Sequence, residues 1–176
     1  MMLLVLFIVI FIIILFVLGS AAWAGFSAAS WIPMPETDIK RVLDLADIQP
    51  DEVVYDLGCG DGRILEKAAE DYQAIVVGIE ISFLPYLFSK IRILFSGLSK
   101  RATIIYGDFY KKDLSKADAV VCFLTPKAMK KLGHKFKKEL KPKTKIVSYV
   151  FPIPDWQPVR VDRPSEEHLP IYLYEC

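Results

Sequence analysis

The first 35 residues of this 176-residue chain carry no charged side chain, and Met1 to Leu18 has no polar side chain at all. Cysteine is nearly as scarce. Cys59, Cys122 and Cys176 are odd in number and widely spaced, which excludes a disulfide framework and a cysteine-ligated zinc site and suits a reducing compartment. No metal ligand set is expected. A net excess of either charge is lacking too, at +1 overall, and no nucleic-acid partner is expected. Repeats and low-complexity tracts are absent outside the N-terminal segment, which leaves one domain of ordinary size beyond it.

What stands in place of charge at the N-terminus is a hydrophobic run of membrane length. A helix rises about 1.5 Å per residue, so Met1 to Leu18, continued through Gly19 to Trp23, matches a hydrocarbon thickness of about 30 Å. We expect an uncleaved transmembrane anchor over residues 1–29, with Trp23 and Trp31 at the interface. The rival is a cleaved signal peptide, since Ala22-Trp23-Ala24 fits a small-x-small site. Against it, no Lys or Arg precedes the run, and the run exceeds the usual apolar core of such peptides, about 7 to 15 residues. Lys40 and Arg41, the first basic residues, lie downstream and favour a single-pass protein with its domain on the cytoplasmic side.

Pro33 and Pro35 break any helix, so residues 30–36 read as a short stiff linker to a domain spanning 37–176. Thr37 or Asp38 can cap a first helix, with Ile39, Val42, Leu43 and Ala46 at helical spacing, before Gln49-Pro50 stops it. Short β-branched strands follow at 53–57, 75–80, 103–106, 119–123 and 145–150, separated by helical patterns at 62–72, 83–97 and 126–140. This order predicts an α/β, mostly parallel sheet with helices on both faces and right-handed crossovers. Residues 159–161 and 171–174 are strand-like with no helix between them, as an antiparallel edge pair requires.

Chemistry concentrates at the strand tips. Asp56 ends the first strand, and Gly58, Gly60 and Gly62 follow at alternate positions. Such a turn brings bare backbone N–H groups beside a cofactor. Glu80 closes the second strand, where an acid can accept both ribose hydroxyls of an adenosine. Asp108 and Phe109 follow the third strand, suited to an adenine amino group and its ring. The three acids line the crevice where open α/β sheets bind ligands. A dinucleotide fold spaces its third glycine three residues from the second; here the spacing is two, and Asp56 and Asp61 would repel a pyrophosphate. They suit the ammonium and sulfonium charges of S-adenosylmethionine.

The segment from Asp56 to Gly62 resembles the first motif of class I S-adenosylmethionine-dependent methyltransferases, with Glu80 and Asp108-Phe109 matching their second and third cofactor acids. The resemblance implies a seven-stranded Rossmann-like fold whose last two strands form the terminal pair. A narrower resemblance is to the membrane-anchored protein-lysine methyltransferases of the adenine nucleotide translocator and the ATP synthase c-subunit. They too place a hydrophobic segment and a Pro-containing linker ahead of the domain, then the Asp56-to-Arg63 turn and a late Phe-Pro-x-Pro-x-Trp segment, here Phe151 to Trp156. The chain departs from them at Ile79-Glu80-Ile81-Ser82, where that group tends to have Glu-Leu-Asn-Pro.

Methyl transfer requires alignment of the nucleophile and exclusion of water. No general base is assigned from the sequence. Phe123-Leu124-Thr125-Pro126 stands where amino-group methyltransferases carry an Asn/Asp-Pro-Pro-aromatic motif, and lacks its leading amide and second proline. Thr125, Phe151 and Trp156 are the candidates for the acceptor side; the alternative is that the aromatics cap the sheet and Thr125 caps the next helix. The stretch from Lys127 to Lys145 holds nine lysines and one acid, Glu139. It reads either as a solvated face or as a surface drawn to anionic headgroups or an acidic partner, at about 1 kcal/mol per basic residue.

The expectation is a membrane-anchored methyltransferase whose partners are the bilayer and a lysine of a membrane protein, in a mitochondrial membrane if the source is eukaryotic. Two alternatives remain: a lipid, quinone or small apolar acceptor, and a non-catalytic cofactor-binding scaffold.

Overall fold

The computed structural model describes residues 1–27 and 32–176, and within the first helix leaves the side chains of 21 and 23–27 aside. The expectations for Ser30, Trp31 and the Trp23 ring therefore lie outside the described residues. Helix α1 runs Met2–Ser27. Its stretch Met2–Ser20 is long and apolar enough to cross a membrane, and its side chains from Met2 to Phe16 are exposed.

Seven strands form one sheet in the order β3-β2-β1-β4-β5-β7-β6. The parallel strands are β1 (Val53–Leu57), β2 (Ile75–Glu80), β3 (Ala102–Tyr106), β4 (Ala119–Cys122) and β5 (Lys145–Tyr149). Strands β6 (Arg160–Asp162) and β7 (Ile171–Glu175) add the antiparallel edge, with β7 seated against β5. Each strand expected from sequence forms, its ends shifted by no more than one residue.

Helices α2 (Glu36–Leu45), α3 (Arg63–Asp71) and α4 (Phe83–Phe95) lie on one face and α5 (Pro126–Glu139) on the other. Alternate strand residues feed the two cores. Val54, Val76 and Val121 join Val42, Leu65 and Ile93 on the first face, while Leu57, Ile79 and Val120 join Met129, Leu132 and Phe136 on the second. That two-sided burial explains why the central strands read as continuous apolar runs rather than alternating ones.

One helix differs from its sequence expectation. Neither Thr37 nor Asp38 caps α2; Pro35 precedes it at φ −59°, with no side-chain cap, and its carbonyl accepts from the Asp38 and Ile39 N–H groups. The Asp38 carboxylate is drawn away to Arg41 and to the Tyr149 hydroxyl. The helix also ends at Leu45, ahead of Gln49-Pro50, because Asp47 turns the chain at φ 47°.

Candidate active site

The carboxyl ends of β1, β2 and β4 open onto a cavity of about 360 Å³, within the range of small-molecule sites. Its lining includes Asp56, Gly58, Gly60, Asp61, Glu80 and Phe109 together with Phe123, Leu124, Thr125 and Phe151.

Glu80 is fixed before anything binds. Its carboxylate, 6% exposed, accepts from the Gly60 N–H at 2.9 Å through Oε2 and from the Ser82 N–H at 2.7 Å through Oε1. Each carboxylate oxygen carries two lone pairs, so both retain acceptor capacity for a diol. The bond to Gly60 also pins the glycine loop to the tip of β2. Gly62 then starts α3 at φ 80°, and a Cβ there would stand 2.8 Å from the Ser89 Cβ on α4. Only glycine lets the loop and α4 approach so closely.

Asp56 is the opposite case. It is 2% exposed, paired in the sheet with Gly78 and Val121, and its Oδ2 has no hydrogen-bond partner. Burial, with the charges of Glu80 and Asp61 adding to it, pushes its carboxyl up to about 8. A buried polar atom left unpaired at a cavity wall is a place where a ligand donor belongs, and a cationic donor would favour the ionised form. These two carboxylates fit an adenosine cofactor with an ammonium group.

Asp61 lines the cavity but spends its charge within the protein. Its carboxylate pairs with Arg63 at 2.8 Å and with Arg92 of α4 at 3.2 Å. Burial opposes ionisation, yet the Arg63 hydrogen bonds and the two guanidinium charges outweigh it and hold Asp61 below the usual carboxylate range. The sequence reading sets Asp61 beside the loop, with Asp56, as a carboxylate suited to the cofactor's positive charges; in the structure two guanidinium groups already meet its charge. Arg63 continues the network by donating to the Met34 carbonyl at 3.2 Å.

Asp108 sits at the tip of β3, where its Oδ1 accepts from the Tyr110 N–H at 2.9 Å and caps the 3-10 turn Phe109–Lys111. Its neighbour Phe109, buried and packed against Tyr110 with ring centroids 4.6 Å apart and planes tilted by 59°, is the residue that reaches the cavity.

On the acceptor side, Thr125 both lines the cavity and caps α5, its Oγ1 accepting from the Ala128 N–H at 3.4 Å. Phe151 is aimed by an unusual turn. Val150 adopts φ 71° and the Phe151 N–H donates to the Tyr149 carbonyl at 2.9 Å, a γ-turn that is strained for a β-branched residue. The Ser148 hydroxyl then donates to the Phe151 carbonyl. Trp156 is not brought to the cavity. It packs edge-on against Tyr174 at 6.1 Å, with Lys137 of α5 over its ring at 5.3 Å.

Sequence reasoning missed the linker's part in the site. Ile32, Pro33 and Met34 line the same cavity as Phe123 and Phe151, and Met34 is buried. The segment has no periodicity to reveal this; the only signal was an apolar run persisting past the break at Pro33. The lysine-rich stretch is largely partnered within the protein: Lys131 stands 3.6 Å over the Tyr110 ring, while Lys135, Lys141 and Lys145 pair with Glu139, Asp118 and Glu52.

The family model described as ANTKMT methyltransferase domain matches residues 56–160. A protein-lysine N-methyltransferase from Saccharolobus islandicus (strain REY15A) is 38% identical over 148 residues, covering 82% of this chain and 91% of that protein. The lysine N-methyltransferase of the ATP synthase c-subunit from Xenopus laevis is 32% identical over 129 residues, which cover 73% of this chain and 56% of that relative; the chain thus spans about half its length. Among solved structures, an RNA methyltransferase from Salinibacter ruber in complex with S-adenosyl-L-homocysteine superposes with a TM-score of 0.79 at 33% identity, covering 82% of this chain and 93% of that one.

Proposed function

This chain belongs to the ANTKMT methyltransferase domain family, and on that premise we propose that it methylates a lysine of a membrane protein while α1 tethers it to the same bilayer. Its cofactor is S-adenosylmethionine, which supplies a methyl carbon activated by the adjacent sulfonium. Glu80 would hold the ribose, Asp56 the methionine ammonium and Phe109 the adenine ring; the glycine loop from Gly58 to Gly62 would support the chain between them.

The observation that carries the lysine reading is the mixed lining of one cavity. Asp56 and Glu80 supply acids for the cofactor, while Ile32, Pro33, Met34, Phe123 and Phe151 supply an apolar wall, which on this reading forms the acceptor's mouth. A lysine ammonium entering such a mouth is penalised for its charge and gives up its proton more readily. The neutral Nζ is the form that attacks, and the narrow aromatic wall aligns it and excludes water. The Saccharolobus and Xenopus relatives are both named as lysine N-methyltransferases, which supports the same acceptor.

The apolar run of α1 supports anchoring, and Lys40 and Arg41 support a cytoplasmic domain. A tether confines enzyme and acceptor to one bilayer and raises their effective concentration. The apolar wall also favours a second reading, a lipid or quinone acceptor, because no charged group besides Arg63, Asp56, Asp61 and Glu80 lines the cavity among the described residues.

The test is transfer of labelled methyl groups to membranes by the full chain, followed by separation into protein, lipid and RNA fractions. Label in protein supports the proposal. Label confined to lipid supports the second reading, and label confined to RNA, the acceptor class named for the Salinibacter structure, contradicts both.

A further inference from the structure

Helix α4 is amphipathic the wrong way round for a helix packed on a water-facing domain. Its inner face consists of Pro85, Ser89 and Ile93, which are buried. Its outward face presents Leu84, Leu87, Ile91, Leu94 and Phe95, spaced at helical intervals, with Leu94 67% and Phe95 86% exposed. Such a stripe faces a core in a surface helix of a globular protein. Among the described residues this face stays exposed, and a contiguous exposed apolar face marks an interaction site.

Two observations identify what covers it. The first is continuity with the apolar anchor: the Phe83 N–H, at the start of α4, donates to the Ser20 hydroxyl of α1 at 3.2 Å, and the Phe83 ring meets Phe16 edge-on at 5.4 Å. Ser20 is also where the membrane-length apolar stretch of α1 ends, so α4 begins at the level where a bilayer containing α1 gives way to water. The second is charge. Between Glu80 and Asp108 the chain has no acid; Arg92 and Arg101 pair with Asp61, Glu66 and Asp51, and the exposed Lys90 and Lys100 suit anionic headgroups around an apolar stripe.

We propose that α4 is a second membrane contact, lying in the plane of the bilayer surface with Leu84, Leu87, Ile91, Leu94 and Phe95 among the lipid chains. The proposal rests on the reading that α1 is embedded in that bilayer, and it adds an orientation to it. A single helix leaves the domain free to rotate about the anchor axis; a second contact on α4 removes that freedom. Because Arg92 donates to the Asp61 carbonyl at 2.9 Å and Ser89 abuts Gly62, docking α4 also fixes the height of the cofactor loop above the lipid. The acceptor class this geometry selects is a lysine close to the membrane surface.

Spin labels at single cysteines test it in the full chain reconstituted into vesicles of phosphatidylcholine with phosphatidylglycerol. Leu94→Cys and Phe95→Cys are labelled in a Cys176→Ser background, since Cys59 and Cys122 are buried; Phe11→Cys reports on α1 and Lys67→Cys on a water-facing helix. The expected result is that labels at 94 and 95 collide with oxygen rather than with a water-soluble nickel complex, at depths of about 5–10 Å below the headgroups, while the label at 67 stays in water. Labels at 94 and 95 that match the one at 67 overturn the proposal, as do labels shielded from both reagents only when the protein is concentrated, which assigns the face to a second copy. A label at 11 in water contradicts the anchor reading instead, and the labels at 94 and 95 still decide the contact of α4.

Discussion

Asp56 and Glu80 lie at the carboxyl ends of neighbouring parallel strands and line one cavity, yet only Glu80 has both carboxylate oxygens engaged by the protein: it accepts from the Gly60 and Ser82 N–H groups, whereas the Asp56 Oδ2 has no partner. One acid is organised in advance and the other waits for a donor. Substituting Asp56→Asn should therefore act in opposite directions on stability and binding. Removing a buried acid raises the melting temperature of the free domain, while the loss of a buried charge pair costs cofactor affinity by about 2–5 kcal/mol, roughly thirty-fold or more. Calorimetry and thermal melts on the same variant check both signs.

The same group sets a pH dependence. Its carboxyl stands at about 8 in the folded protein against an ordinary value near 3.8, so between those values the folded state holds a proton that the unfolded state releases. The free domain should lose stability as pH rises through that window. Cofactor binding that requires the ionised form releases the proton, so affinity should rise with pH toward about 8, by up to about tenfold per unit. Titrations in buffers of different ionisation enthalpy should show proton release at pH 7 in the native chain and none in Asp56→Asn.

Met34 ties the linker to the site, its side chain buried and its carbonyl held by Arg63. Truncation by Met34→Ala should cost about 2–4 kcal/mol of stability and raise the KM for the acceptor more than the KM for the cofactor. Steady-state kinetics with each substrate varied in turn checks this; an unchanged acceptor KM would show that the linker does not shape the mouth.

Phe151 and Trp156 belong to one sequence segment but occupy different environments, the first on the cavity and the second against Tyr174 and α5. Phe151→Ala should lower transfer at saturating cofactor, and Trp156→Ala should lower the melting temperature while leaving the turnover of folded protein unchanged. Equal catalytic losses in the two variants would place Trp156 back at the acceptor.

These contrasts mark where the sequence was legible. The strand tips carrying Asp56, Glu80 and Asp108 could be read because β-branched runs end where glycines and acids begin, and burial on both faces left no competing pattern. The left-handed turn at Asp47 had no such signature, so α2 ended earlier than Gln49-Pro50 suggested. Asp61 reads as a carboxylate for the cofactor because neither the return of the Arg63 side chain onto it nor its tertiary pairing with Arg92 of α4 leaves a mark in the sequence. Trp156 followed Phe151 closely enough to share its assignment until the strained turn at Val150 and the hydrogen bond from the Ile153 N–H to the Tyr174 hydroxyl separated them. The linker wall at Ile32 to Met34 left no periodic trace at all.

The most direct test of the account is the chemical identity of the methylated group. Membranes incubated with the full chain and isotopically labelled S-adenosylmethionine are digested and the labelled residues identified by mass spectrometry, with Asp56→Asn as the control. The account predicts labelled methyl-lysine in a membrane protein, resistant to base and strongly reduced in the control; label on any other residue or molecule, or equal labelling by the variant, would contradict it.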